Sequence, residues 1–176
     1  MILKGRVWRY GDNVDTDVLY PSKYLVTFDL SEVGKHALEG LDPEFSREVK
    51  AGDIIVAGRN FGCGSAREQA ATAIKAAGVS VMLAESFSRT FYRNAINVGL
   101  PVLVVPGIGK LCAKGDLLEV RLEEGRIRNL GSGSELQVAP LPDFVLQILA
   151  KGGAIPYYRE RMAPHGRVQD KTTGVR

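Results

Sequence analysis

Between residues 53 and 105 short apolar runs alternate with two helical patterns, and this alternation is the strongest limit on the fold. Residues 53–57 read as a buried strand and 66–77 as an Ala-rich helix ending at Gly78. Residues 79–84 form a second apolar run. A second helix, capped by Ser88 or Ser86, runs to Val98 and ends at Gly99; Phe87, Phe91, Ala95 and Val98 share one of its faces. Residues 101–105 are a third strand. Strands separated by helices pair in parallel and are joined by right-handed crossovers, so the expected class is α/β with a partly parallel central sheet.

The flanking segments are less regular. Residues 2–9 read as a strand, followed by a turn-rich acidic loop over 11–17 and a short run, Val18 to Tyr20, ending at Pro21. Residues 24–28 have no clear pattern. Ser31 is placed to cap a short helix over 32–38 that Gly40 stops, and Asp42-Pro43-Glu44 to open another helical turn with Pro43 at its first position. After Pro106 the pattern becomes three short strands, 116–122, 126–130 and 135–139, with Glu124-Gly125 as a hairpin signal. A closing helix is expected over 142–150, with Gly152-Gly153 beyond it. We read residues 1–162 as one domain and 163–176, polar, basic and aperiodic, as a flexible tail.

Composition excludes several functions. A net charge of +3, dispersed over 176 residues, argues against a nucleic-acid partner. No apolar run is long enough to span a bilayer, and the N-terminus begins as a strand without a signal-peptide pattern, so the chain reads as cytoplasmic. His36 and His165 stand outside metal-ligand spacing, and no metal or cofactor site is expected on this chain. The two cysteines, Cys63 and Cys112, are too few for a disulfide framework or for a cubane iron–sulfur cluster, which normally uses three or four thiolates. Cys63 reads as a packing or turn residue and Cys112 as a small buried one.

The chemistry concentrates in Asn60-Phe61-Gly62-Cys63-Gly64-Ser65-Ala66-Arg67-Glu68, a glycine turn between a strand and a helix. A helix N-terminus offers backbone N–H groups and a partial positive charge to an anion, and Arg67 adds a fixed cation able to grip a carboxylate through two N–H bonds. Several readings are open at this point. Gly62-x-Gly64 begins a dinucleotide fingerprint, with Glu85 near the ribose-binding distance, but Arg67 stands where the third glycine belongs. A Walker loop fails for want of a Lys-Ser or Lys-Thr pair. One reading is a turn that only reverses the chain, with Ser65 as N-cap. Alternatively Ser65 is a base beside an arginine clamp. No histidine is near it in sequence, so a triad would need the fold to bring His36 close, and the glycine that a nucleophile elbow places two residues after its serine is replaced by Arg67.

Three blocks, in order, carry a family resemblance. The turn resembles the serine-bearing loop of the swivelling domain of the aconitase superfamily. Asp12-Asn13-Val14-Asp15-Thr16-Asp17 with Pro21 resembles its acidic motif, and the stretch from Ser86 to Asn97 with Gly99-Leu100-Pro101 resembles its later block. The likeness spans about residues 1–162 and is closest in size and order to the family's small subunits that act on alkyl malates.

The resemblance implies an aconitase-type swivelling domain and a hydro-lyase reaction. A hydroxy diacid is dehydrated and rehydrated so that its hydroxyl moves to the adjacent carbon, as in the interconversion of isopropylmalates in leucine synthesis. It further implies a large partner subunit holding a [4Fe–4S] cluster that acts as Lewis acid, over which this chain closes as a lid. By resemblance Ser65 is the base that takes and returns the carbon-bound proton. Arg67 binds a substrate carboxylate, with Gly64 and Ala66 flanking in the same loop as substrate-binding positions. Asp17 is an active-site carboxylate orienting a partner residue, while Asp12 and Asp15 also fit plain Asx-turn roles. Arg93 and Asn94 are read chiefly as structural. Val26, in Tyr24-Leu25-Val26-Thr27, stands at the specificity position, apolar in isopropylmalate-type members and arginine in homoaconitase-type ones. The alternatives are a homoaconitase or methylmalate/dimethylmalate dehydratase subunit or, in another class, a stand-alone anion- or nucleotide-binding module.

Overall fold

A computed structural model describes residues 1–26 and 29–162. The tail expected over 163–176, His165 within it, and the end of the 24–28 segment lie outside the described residues. In chain order the elements are β1 (Ile2–Arg9), α1 (Thr16–Leu19), a 3-10 turn (Ser22–Tyr24), α2 (Leu30–Lys35), α3 (Phe45–Glu48), β2 (Ile54–Ala57), α4 (Glu68–Ala76), β3 (Val81–Ala84) and α5 (Arg89–Val98). There follow β4 (Val102–Val104), α6 (Ile108–Leu111), β5 (Leu117–Arg121), β6 (Arg126–Asn129), β7 (Glu135–Gln137), α7 (Asp143–Ala150) and α8 (Ala154–Met162).

The strands form one seven-stranded sheet in the order β4-β3-β2-β1-β5-β6-β7. β1 to β4 pair in parallel, with Val7 opposite Ile54, Ile54 opposite Val81 and Met82 opposite Val102. On its other side β1 pairs antiparallel with β5, Gly5 opposite Leu118, and β6 and β7 continue antiparallel. The expected α/β class with a partly parallel sheet is what forms, and β1 is the seam between its halves.

Each half follows from its side chains. β2 and β3 are buried at every position, because parallel strands with helical crossovers are covered on both faces and need continuous apolar runs. β5 alternates, with Leu118 and Val120 inside and Glu119 outward. α4 buries Ala70, Ala71, Ala73 and Ile74 and packs between α2 and α5. α5 is capped by Ser88, whose Oγ accepts the Phe91 N–H at 3.2 Å, and ends at Gly99. Phe87 and Phe91 stack at its first turn, and Phe61 meets both edge-to-face, with Phe61 and Phe91 centroids 5.2 Å apart. Burial of one such ring contributes about 1.5–3 kcal/mol.

Several expectations are corrected. α2 begins at Leu30 and is capped by Asp29, whose carboxylate accepts the Ser31 N–H and hydroxyl, each at 2.8 Å; Ser31 is inside the helix. Pro43 precedes α3 rather than opening it. α4 starts at Glu68 instead of Ala66. α1, which forms over the end of the expected acidic loop, and α6 and α8 were not expected. Gly152-Gly153 marks the end of the expected 142–150 helix, yet α8 starts directly after it and tolerates Pro156 in its first turn, where a missing N–H has no partner to lose.

Candidate active site

The loops after β1, β2 and β3 leave the same edge of the sheet, since these strands are parallel neighbours. They stay paired beyond the strand ends. Gly58 N–H donates to Gly11 C=O at 3.1 Å, Asn13 N–H to Arg59 C=O at 2.7 Å, Gly62 N–H to Val14 C=O at 2.8 Å and Thr16 N–H to Cys63 C=O at 2.9 Å. Side chains lock the same register: Asp12 accepts the Arg59 N–H at 2.6 Å, and the Asn60 amide donates to Asn13 at 3.0 Å. The third loop joins through Phe61 N–H to Ser86 C=O at 3.0 Å and Ser88 N–H to Phe61 C=O at 2.9 Å. Ser88 Oγ also donates to Gly62 C=O at 2.6 Å. The three blocks noted in the sequence therefore meet at one place.

Glycine is required at two points of this turn. Gly62 has φ +73°, and a β-carbon there would stand 2.3 Å from Phe91 Cγ. Gly64 has φ +86°, and its β-carbon would stand 2.2 Å from an Asp15 carboxylate oxygen. Asp15 is itself fixed, because its side chain caps α1 by accepting the Asp17 N–H at 2.7 Å.

These constraints present Ser65, Arg67 and Asp17 together. Ser65 Oγ donates to Asp17 Oδ1 at 3.1 Å, and Arg67 Nη1 pairs with the same oxygen at 2.8 Å. Arg67 also reaches Tyr20 C=O at 3.5 Å. Behind them Thr16 Oγ1 donates to Ser65 C=O at 3.0 Å and lies 3.3 Å from Ser65 Oγ. Gly64, Ser65 and Ala66 are exposed, as is the Asp17 side chain at 59%, so the group lies on an open face.

Ser65 is not the N-cap of α4. Arg67 occupies that position in an extended conformation, without a side-chain capping bond. Its N–H is already committed to Ser65 C=O at 2.8 Å, which closes a tight turn over 65–67. Ser65 thus stands ahead of the helix, and fewer helix-terminal donors face it than the sequence suggests. The N–H groups of Ser65 and Ala66 have no acceptor among the described residues.

His36 is elsewhere. It stacks on Tyr24 at 3.5 Å between centroids, and its Nδ1 is 2.7 Å from Glu39, so it forms no triad with Ser65. Glu39 also accepts from Lys23 at 3.0 Å and Tyr24 at 2.9 Å. Burial acts to raise the Glu39 carboxyl, but hydrogen bonds from Lys23, His36 and Tyr24 outweigh it and hold it at about 2. This cluster anchors the segment carrying Val26, which is 79% exposed. Tyr20 links the segment to the site: its hydroxyl donates to Tyr24 C=O at 3.0 Å while its own carbonyl faces Arg67. Arg93 and Asn94 make no side-chain hydrogen bond or ion pair among the described residues and are not joined to Ser65. Sequence reasoning missed Thr16. It lies inside the acidic block, but nothing in the sequence shows that it is the one polar residue of that block to be buried, with its hydroxyl on Ser65.

Residues 33–106 match the Aconitase C-terminal domain family. A crystal structure of a 3-isopropylmalate dehydratase from Methanocaldococcus jannaschii superposes with a TM-score of 0.86 at 43% identity, covering 92% of this chain and 95% of that one. Together with the sheet order and the three-loop site, these likenesses define an aconitase-type α/β domain. Among curated relatives, 3-isopropylmalate dehydratase small subunit 1 of Methanopyrus kandleri is 52% identical over 154 residues, 88% of this chain and 91% of the relative. The methanogen homoaconitase small subunit of Methanothermobacter thermautotrophicus is 55% identical over 158 residues, 89% of this chain and 91% of the relative. The chain belongs to the family of 3-isopropylmalate dehydratase small subunits.

Proposed function

We propose that this chain is the small subunit of an iron–sulfur-dependent hydro-lyase that interconverts 2-isopropylmalate and 3-isopropylmalate in leucine synthesis, working in the cytoplasm with a large partner subunit. The observation that carries the reading is the convergence of a serine hydroxyl and an arginine on one carboxylate oxygen, at 3.1 and 2.8 Å, on an open face. Asp17 then marks where a substrate carboxylate can engage Arg67.

Removing a proton from carbon beside a carboxylate builds an aci-carboxylate dianion. A guanidinium forked onto that carboxylate stabilises the added charge more in the transition state than in the bound substrate. Ser65, one residue from Ala66 and two from Arg67, is the group placed to take the proton and return it. Asp17 is the acceptor in reach of the Ser65 hydroxyl. The open face leaves water in the site until a partner surface covers it.

The residues of this chain do not fit a [4Fe–4S] cluster. Burial pushes the Cys112 thiol up to about 11, the wrong direction for a thiolate ligand, and Cys63 alone cannot hold one. Among the described residues no three His, Cys, Asp or Glu side chains gather as a metal cradle. In this reading the cluster belongs to the large subunit.

Val26 favours an isopropyl substrate, since it offers an apolar cover and no charge for an additional carboxylate. A second reading, homoaconitase, draws support from the 55% identity to a relative of that name. The test is anaerobic reconstitution with a cluster-loaded large subunit, comparing isopropylmalate, homoaconitate and methylmalate. The expected result is no activity from the chain alone and preferred turnover of isopropylmalate by the complex. A cluster-loaded complex that isomerises none of the three, or turnover by the chain alone, would overturn the proposal.

A further inference from the structure

Three polar side chains are buried among the described residues: Thr16, Asp53 and Asn129. Two of them hold their own surroundings. Asp53 accepts Trp8 Nε1–H at 2.8 Å and Lys50 N–H at 3.0 Å, tying β1 to the turn before β2. Asn129 donates to Leu111 C=O at 3.0 Å and Asp116 at 2.9 Å, and accepts the N–H groups of Gly131 and Ser132, which builds the turn after β6. Thr16 is different. Only 1% exposed, it directs its hydroxyl to both the backbone and the side chain of Ser65.

A threonine hydroxyl has one proton to give. While Ser65 is neutral, that proton goes to Ser65 C=O at 3.0 Å, and the Ser65 proton goes to Asp17 at 3.1 Å. When the Ser65 proton passes to Asp17 Oδ1, its acceptor at 3.1 Å, the new carboxyl O–H returns a single hydrogen bond to the Ser65 Oγ anion, while Arg67 is paired with Asp17. Thr16 Oγ1 is 3.3 Å away and needs only to rotate its O–H, with no heavy atom moving. A hydrogen bond to an oxyanion is roughly twice as strong as one to a neutral carbonyl, so the rotation is favourable.

We propose that Thr16 is a positioning residue for Ser65: its buried hydroxyl holds the Ser65 backbone while Oγ carries a proton, and turns to donate to Oγ when that proton leaves. No bond is made or broken at Thr16. The inference rests on the reading of Ser65 as base and deepens it by naming a side-chain donor, besides the carboxyl that takes the proton, for the deprotonated oxygen.

The test uses the isolated chain first, so that it does not depend on turnover. Ser65→Cys in a Cys63→Ala background places a titratable thiol at position 65, and its alkylation rate by iodoacetamide against pH reports the thiolate fraction. Cys112 is buried and contributes little. Thr16→Val should move the midpoint up by about one unit, a roughly tenfold slower reaction at neutral pH, while Thr16→Ser should keep the midpoint of the Thr16 chain. Thr16→Ala is a second hydroxyl-free variant with the same expectation, should the valine fail to fold. In the reconstituted complex, Thr16→Val should lower kcat about tenfold at unchanged KM, with Thr16→Ser restoring it. An unmoved thiol midpoint in folded Thr16→Val or Thr16→Ala overturns the Thr16 role, even if Ser65→Ala is inactive. Full turnover by assembled Ser65→Ala overturns the base reading instead, whatever the thiol shows.

Discussion

The two halves of the sheet share β1 but gather different residues. In the antiparallel half, β5, β6 and β7 follow each other through short turns, and their polar contacts are local: ion pairs such as Lys4–Glu119 at 2.8 Å and Arg126–Glu135 at 3.1 Å, and the buried Asn129 that builds the turn after β6. In the parallel half, every return needs a crossover, so all the loops after β1, β2 and β3 emerge on one edge. Residues 48 apart in sequence, Asp17 and Ser65, become hydrogen-bonded neighbours there. None of the hydrogen bonds around Ser65 involves β5, β6 or β7. Parallel topology gathers distant chemistry, whereas the antiparallel half supplies a stabilising flank. Open α/β sheets place their sites at the carboxyl ends of strands for this reason.

Substitutions on the two sides should therefore separate activity from stability. Arg67→Ala removes two charge-assisted hydrogen bonds to a substrate carboxylate, each about 1.5 kcal/mol, so kcat/KM of the reconstituted complex should fall roughly 10²-fold with little change in melting temperature. A matched loss of stability would mean that Arg67 is mainly a structural partner of Asp17. Gly64→Ala combines a left-handed backbone with a clash on the Asp15 cap and should cost about 2 kcal/mol, a Tm drop of roughly 4–8 °C, together with lower turnover. Retention of both would show that the turn is looser than its contacts indicate.

Val26→Arg should shift the ratio of kcat/KM away from isopropylmalate by about tenfold, within the 1–3 kcal/mol available to one pocket contact. An unchanged substrate ranking would remove Val26 from the specificity surface. The smallest effect belongs to the antiparallel flank. Hydrogen bonds from Lys4 and Arg121 hold the Glu119 carboxyl down at about 2. Because that value lies below the ordinary 4.5, Glu119 stabilises the fold fully above 4.5 and loses that contribution as pH falls toward 2. Glu119→Gln should slightly lower Tm at neutral pH, flatten the acid limb of the melting profile and leave turnover alone. Altered turnover would join the two halves functionally.

Much of the parallel half was legible. The runs over 53–57 and 79–84 and the Phe91/Ala95 face are set by local apolar periodicity, which a sequence displays directly, whereas Phe87, expected on that helix face, stands before the Ser88 cap and bridges to Phe61. The candidate site was legible as residue types, since the glycines of the turn, Ser65, Arg67 and the acidic block stand in recognisable order. The pairing of Asp17 with both Ser65 and Arg67 was not, because it follows from β1 and β2 being adjacent and parallel. The start of α4 was missed because Arg67 is extended, its N–H bonded to Ser65 C=O in the tight turn over 65–67, so helical geometry begins only at Glu68. α8 was missed because Gly152-Gly153 ends the preceding helical pattern, and the next helix starts directly after it at Ala154. Burial of Thr16 depends on how α1 seats against the turn, which no local pattern records.

The central claim is that the parallel edge presents half of an active site, with Ser65 as its base. The most direct measurement is kcat of Ser65→Ala assembled with a cluster-loaded large subunit, with assembly and cluster content verified alongside. Loss of a general base predicts a fall on the order of 10²–10⁴-fold with assembly unchanged. A fully assembled variant turning over within a few-fold of the parent would contradict the account.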